Sequence, residues 1–253
     1  MVQGWAMEWH DQGIVLSARR HGESAAVVQL LTRAHGRHAG LVRGGQGRRA
    51  RGVLQPGNRV AATWRARLAD HLGSYTCELE ASHAARLMDD PGRLAALSAA
   101  AAVSERALPE REPHPACYEG LQALLEALEG DHWAEAYVGW ELALLAELGF
   151  GLDLGSCAAG GANDQLAYVS PRTGRAVSLA AGEPYRDRLL ALPGFLAGRG
   201  GGGPEEVGQG LRLTGFFLER FVFAPQDRQL PPPRRRLAER FPQGLAADAL
   251  ESR

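Results

Sequence analysis

Five short runs of strand-forming residues, each cut off by a turn signal, fill residues 13–80 and constrain the fold more than any other feature. "GIVLSARR", "AAVVQLLT", "RHAGLVRG", "RVAATWRAR" and "SYTCELE" are rich in Val, Leu, Ile and Thr and are separated by Gly, His-Gly or Pro-Gly. In "RVAATWRAR" the alternation is explicit. Val60, Ala62, Trp64 and Ala66 share one face, while Arg59, Ala61, Thr63, Arg65 and Arg67 share the other. Five short antiparallel strands in about seventy residues predict a small closed or partly open barrel of the oligonucleotide-binding (OB) kind, with an SH3-like barrel as the nearest rival. The extended pattern begins after Met7, which reads as the start of the chain.

After Pro91 the texture changes to Ala- and Leu-rich segments such as "GRLAALSAAAAVSERAL" and "YEGLQALLEALEG", which favour helix on propensity. In "DHWAEAYVGWELALLAELGF" the residues Trp133, Ala136, Tyr137, Trp140, Leu144 and Leu148 form one predicted apolar stripe, with Asp131 as N-cap and Gly149 just past the end. "EREPHP" connects two helices. A further helix is expected at 184–192 and another from Pro204, which takes the first helical position. The fold class is therefore α+β, with a barrel domain at 1–82, a helical domain at 83–253, a Gly-rich, loop-like insertion at about 151–182 and a basic C-terminal tail.

A formal net charge of -1 conceals an uneven distribution, for the first 80 residues are basic and the next 80 strongly acidic. Such asymmetry fits a module that meets a polyanion followed by one that does not. The stretch "RGGQGRRARG", residues 43–52, places Arg43, Arg48, Arg49 and Arg51 among four glycines, and residues 27–69 contain no Asp or Glu. One reading is an anion-binding loop in which guanidinium forks grip phosphate oxygens. The other is a solvated loop whose arginines follow from GC-rich codons. Codon bias explains Arg in place of Lys but not the missing acids, so nucleic acid is the expected ligand, and Arg37, Arg59, Arg65 and Arg67 add to the same surface. Trp64 reads either as a core residue or as a stacking platform for an unpaired base. Arg234, Arg235 and Arg236, in "LPPPRRRLAERF", read as an ordinary tail, a second anion contact or an anchor for a partner's peptide.

Other chemistries are excluded by what the chain lacks. It has no Lys, which removes a Walker-type phosphate loop and Schiff-base catalysis. Cys77, Cys117 and Cys157 are about forty residues apart and suggest neither a disulfide framework nor a metal knuckle. The histidines match no ligand spacing, no catalytic signature occurs, and no apolar run has membrane-spanning length. A non-enzymatic cytoplasmic protein is expected.

Two stretches resemble the RecO proteins of bacterial recombinational repair. "GIVLSARRHGES" with "VVQLLTRAHGRHAGLVRGGQGRRARGVLQPGNRV" resembles the family's amino-terminal domain, and "WELALLAELGFGLDLGSC" together with "SPRTG" resembles its central region. The resemblance implies an OB barrel followed by helices and a cytoplasmic, nucleoid-associated mediator. Such a mediator binds single- and double-stranded DNA, anneals complementary strands, binds RecR and helps load RecA onto DNA coated by single-strand-binding protein. It makes Arg43, Arg48, Arg49 and Arg51 the leading DNA contacts and the C-terminal tail of single-strand-binding protein a candidate for the Arg234–Arg236 cluster. Some relatives hold zinc with four cysteines in the turn region. Here only Cys157 remains, which implies no cofactor. The competing class is a protein–protein adaptor whose OB or SH3-like barrel does not touch nucleic acid.

Overall fold

The computed structural model describes residues 7–160 and 165–242. The chain divides into two compact units, Met1–Asp131 and His132–Arg253. The strand-to-helix change falls at residues 81–83, but three helices that follow it belong to the first unit.

Five strands build the first unit's barrel: β1 (Met7–His21), β2 (Ala25–Thr32), β3 (Gly36–Val42), β4 (Arg59–Ala66) and β5 (Ser74–Ala81), closed in the order β1-β2-β3-β5-β4. β1 begins six residues before the predicted run. Its first half pairs with β4 and its second half with β2, and a register shift between Val15 and Ser17 bends it between the two neighbours. The extra residues carry no apolar alternation; ladder bonds to β4 hold them extended. β3 and β5 meet in parallel through one register pair, Leu41 with Ser74.

The period of two sets the core. Val28, Leu30, Val60, Ala62, Trp64 and Ala66 point inward and are nearly inaccessible, while Arg59, Ala61, Thr63 and Arg65 alternate outward. Two glycines permit close approaches that a side chain would forbid. A Cβ on Gly73, which has φ of +65°, would sit 2.4 Å from the Trp64 ring, and one on Gly40 would sit 2.3 Å from Tyr75. Near these rings His35 stacks on Trp9 at 4.0 Å, and His38 lies edge-on to Trp64. His38 is buried with its Nδ1 2.9 Å from the Ala39 carbonyl, and burial holds its imidazole down at about 4.

Between β3 and β4 the chain forms a helical turn, α1 (Arg48–Val53). After the barrel come α2 (His83–Arg86), α3 (Pro91–Ala107) and α4 (Pro115–Ala127). The Asp90 carboxylate caps α3 by accepting from the Gly92 and Arg93 amides at 2.8 and 3.1 Å, bonds that lower its pKa. Ala96, Ala99, Ala100 and Ala101 are buried on α3, and such small side chains let a helix lie close against β1 and β2.

The second unit begins with α5 (Trp133–Glu147). Its N-cap position is His132, not the predicted Asp131, and Gly149, at φ of +86°, follows its end. Burial extends beyond the predicted stripe to Val138, Glu141 and Leu145, so α5 is covered on two sides rather than one. The segment read as a loop-like insertion contains strands: β6 (Leu166–Val169), β7 (Ala176–Ser178) and then, past 182, β8 (Leu190–Ala191) form a small sheet of order β7-β6-β8. Residues 161–164 of that insertion lie outside the described residues. "SPRTG" is the β6–β7 turn, where the Ser170 carbonyl accepts from the Gly174 amide at 2.9 Å. The helix expected at 184–192 is instead a 3₁₀ turn at Glu183–Arg188 followed by β8, with the short α6 (Leu179–Gly182) ahead of it. α7 (Pro204–Phe217) starts at its proline and runs on as a π-helix, Leu218–Phe223, before α8 (Pro232–Ala238).

Candidate nucleic-acid interface

The arginine loop is more ordered than its glycines suggest. Gly44 takes φ of +67°, Gly45 packs against Ala26, and Gln46 donates from its backbone to Ser24 and from its side chain to Ala25, at 3.0 and 3.3 Å. From Gly47 the chain winds into α1 because Ala50, Val53 and Leu54, at helical spacing, pack against the barrel core. Asn58 finishes the job. Fully buried, it donates to the carbonyls of Gly52 and Val53 at 2.9 and 3.2 Å and accepts from Ser82. These bonds satisfy carbonyls that a helix end leaves open.

Upon this framework Arg43, Arg48, Arg49 and Arg51 are exposed and form no ion pair or side-chain hydrogen bond among the described residues. Arg67 is likewise exposed and unpaired. The loop that carries it is clamped by Arg111, whose guanidinium donates to the carbonyls of Ala69, Asp70 and His71 at 2.6, 3.1 and 2.9 Å.

Three other expected contacts are spoken for within the chain. Arg37 donates to the Leu108 carbonyl at 2.8 Å and faces Glu110 at 3.4 Å. Arg59 pairs with Glu80 at 3.2 Å, and Arg65 grips both oxygens of Glu8 at 2.9 Å, which lowers the Glu8 pKa. The acid-free interval misled because strand pairing imports acids from outside it. Glu8 stands directly across the ladder from Arg65, and Glu80 adjoins the partner of Arg59. Conversely, exposed Arg20 beside the β1–β2 turn joins the cationic surface with only a bond to its own Gly22 carbonyl at 3.2 Å. Its proximity arises from the loop's anchoring to Ser24 and Ala25, which no local spacing reveals.

Two further expectations are corrected. Trp64 is 1% exposed and its Nε1 donates to the Leu72 carbonyl at 3.0 Å, so it offers no face to a base. Burying an indole of about 150–250 Å² is worth roughly 4–6 kcal/mol, more than the about 1–3 kcal/mol of one base stack. Arg234 is not a surface anion contact either. At 0% exposure its Nε and Nη2 lie 2.5 and 2.8 Å from the two oxygens of Glu141, and Nη2 also donates to the Leu211 carbonyl at 2.7 Å. It faces inward because α8 turns the first residue of the basic cluster toward a carboxylate on α5, while Arg235 and Arg236 remain exposed.

The turn region does not suit zinc. Cys157 supplies a single sulfur that already accepts from the Ser178 amide at 3.3 Å, and Asp153 is paired with Arg175. Among the described residues no group of three or more His, Cys, Asp or Glu is placed to hold a metal. No helix among them is long and apolar enough to cross a membrane.

An α+β protein whose small barrel presents a rigid, unpaired cationic loop is the class that fold and surface define. The family model described as "Recombination protein O N terminal" matches residues 7–82, and that described as "Recombination protein O C terminal" matches residues 88–229. A DNA repair protein RecO of Rhodospirillum centenum is 64% identical over 237 residues, covering 93% of this chain and 95% of that protein. Another, of Rhodospirillum rubrum, is 55% identical over 250 residues, covering 96% and 99%. The chain belongs to the RecO family, whose members carry the name DNA repair protein.

Proposed function

We propose that this protein is a non-enzymatic recombination mediator with an OB-type barrel that binds single- and double-stranded DNA, anneals complementary strands and, with RecR, helps load RecA onto DNA coated by single-strand-binding protein. One observation carries the reading: Arg43, Arg48, Arg49 and Arg51 stand exposed and unpaired on a backbone fixed by Gln46 and Asn58. A cation held without an anion among the described residues is available to one from outside, and a rigid mount lowers the ordering cost of binding. The guanidiniums neutralise phosphates and release counterions, so two strands gathered on one surface repel each other less and pair faster. Phosphate contacts position without specifying, so sequence preference is weak. The protein works without zinc, since its turn region keeps one cysteine. Arg235 and Arg236 receive the acidic tail of single-strand-binding protein, with Arg234 excluded from that role. It acts in the cytoplasm at the nucleoid.

Fluorescence anisotropy with a labelled oligonucleotide at increasing salt tests the reading. With about four to six phosphates contacted, log K against log[salt] falls with a slope of roughly -3 to -4 for single strands. A slope near zero overturns direct nucleic-acid binding and leaves a protein adaptor.

A further inference from the structure

α1 stands between two grooves of the first unit. On one side an open groove of about 1000 Å³ is floored by Val42, Val53, Cys77 and Leu79 and lipped by Arg48 and Arg49. On the other, a groove of about 500 Å³ is lined by Ser17, Gln46, Gln55 and Pro56 and lipped by Arg20 and Arg51. Leu54 lines both. Helical spacing alone puts Arg51 only about 60° from Arg48, so the division comes from where the side chains lie: Arg48 and Arg49 line the larger groove and Arg51 the smaller. One carboxylate, Glu78, lines the larger groove, and none lines the smaller.

We propose that α1 is a divider that holds two single strands of nucleic acid side by side, one in each groove, with Arg48 and Arg49 on one backbone and Arg20 and Arg51 on the other. This rests on the polyanion reading above and extends it from one binding surface to two separate tracks. The grooves fit unpaired strands by their chemistry. A duplex turns its phosphates outward and its bases inward and has nothing to set on an apolar floor, whereas an unpaired strand lays base faces on Val42, Val53 and Leu79, the last 46% exposed. No aromatic ring lines either groove, so the contact is tolerant of sequence. A helix with its side chains is about 10–12 Å across. Two backbones at that distance lie near one Debye length, about 8 Å at physiological salt, and still repel. The four guanidiniums between them offset that repulsion where the strands must meet to pair.

The test uses the full chain, a labelled oligothymidine of about eight nucleotides, within the span of one such barrel, and two paired variants, Arg48→Ala with Arg49→Ala and Arg20→Ala with Arg51→Ala. All four residues are exposed, so circular dichroism should match the parent. The expected result is two oligonucleotides per chain for the parent and one for each paired variant, with annealing of complementary strands slowed by roughly tenfold in both. One oligonucleotide per chain for the parent, weakened alike by both paired variants, overturns the two-track arrangement while leaving polyanion binding standing. No binding by the parent at low salt overturns both.

Discussion

Two arginine clusters of nearly identical composition meet opposite fates. In the first unit "RRAR" projects three guanidiniums from α1 without an ion pair, whereas in the second "RRR" delivers its first member, Arg234, wholly into the interior against Glu141. Residue type did not decide this. What decided it was whether a carboxylate stood within reach in three dimensions and whether other polar groups stood beside it. Around Arg234, Thr214 and the Leu211 carbonyl add acceptors for Nη2, Thr214 also donates to Glu141 at 2.5 Å, and Nη1 alone is left without a partner among the described residues. Around α1 the interior-facing positions are Ala50, Val53 and Leu54, and among the described residues no carboxylate, not even Glu78 in the same groove, pairs with the arginines.

The comparison is broken most severely by removing one member of the buried pair. Glu141→Ala leaves an uncompensated guanidinium in the core and should cost about 3–5 kcal/mol, read as a lower denaturant midpoint. Replacing both residues, with Glu141→Leu and Arg234→Met, should recover much of that loss; failure to do so would show that the pair is favourable in itself. Next in size, Arg48→Ala, Arg49→Ala and Arg51→Ala together should make the salt slope shallower by about 2, with stability changed by less than about 0.5 kcal/mol. A large loss of stability would mean that the loop arginines support the fold.

A third prediction contrasts Arg234 with His38, a buried basic group to which no carboxylate is bonded. His38 stays neutral in the folded chain, its value held at about 4, with Arg111 and His35 opposing its charge and Glu110 favouring it. The unfolded chain, with the ordinary value of 6.5, binds the proton first. Stability present above about pH 6.5 should therefore drain away as pH falls toward 4, and His38→Phe should flatten that dependence in midpoint measurements. His83, also lowered by burial, contributes in the same direction and should leave part of the slope. Smallest of all, Arg65→Ala should leave the salt slope unchanged, since Glu8 already occupies that guanidinium. A shallower slope would return Arg65 to the interface.

The period of two and the turn residues made the strands legible, because both act between neighbours along the chain. α1 was equally local but hidden, since four glycines and four arginines masked the three apolar positions that wind it. The pairs Arg65–Glu8, Arg59–Glu80 and Arg37–Glu110 could not be read from spacing, for each joins residues 21 to 73 positions apart that only strand pairing or helix packing brings together. Arg234 was opaque for the same reason, 93 positions from its carboxylate. Exposed arginines look alike in a sequence to arginines that a distant acid will claim.

The lone register pair between β3 and β5 has a mechanical consequence. Every other side of the barrel is stitched by at least seven such pairs, so this is the side that parts first under load. The arginine loop leaves β3 one residue beyond that seam. Load on that loop is shared between this seam and the Gln46 bonds to Ser24 and Ala25.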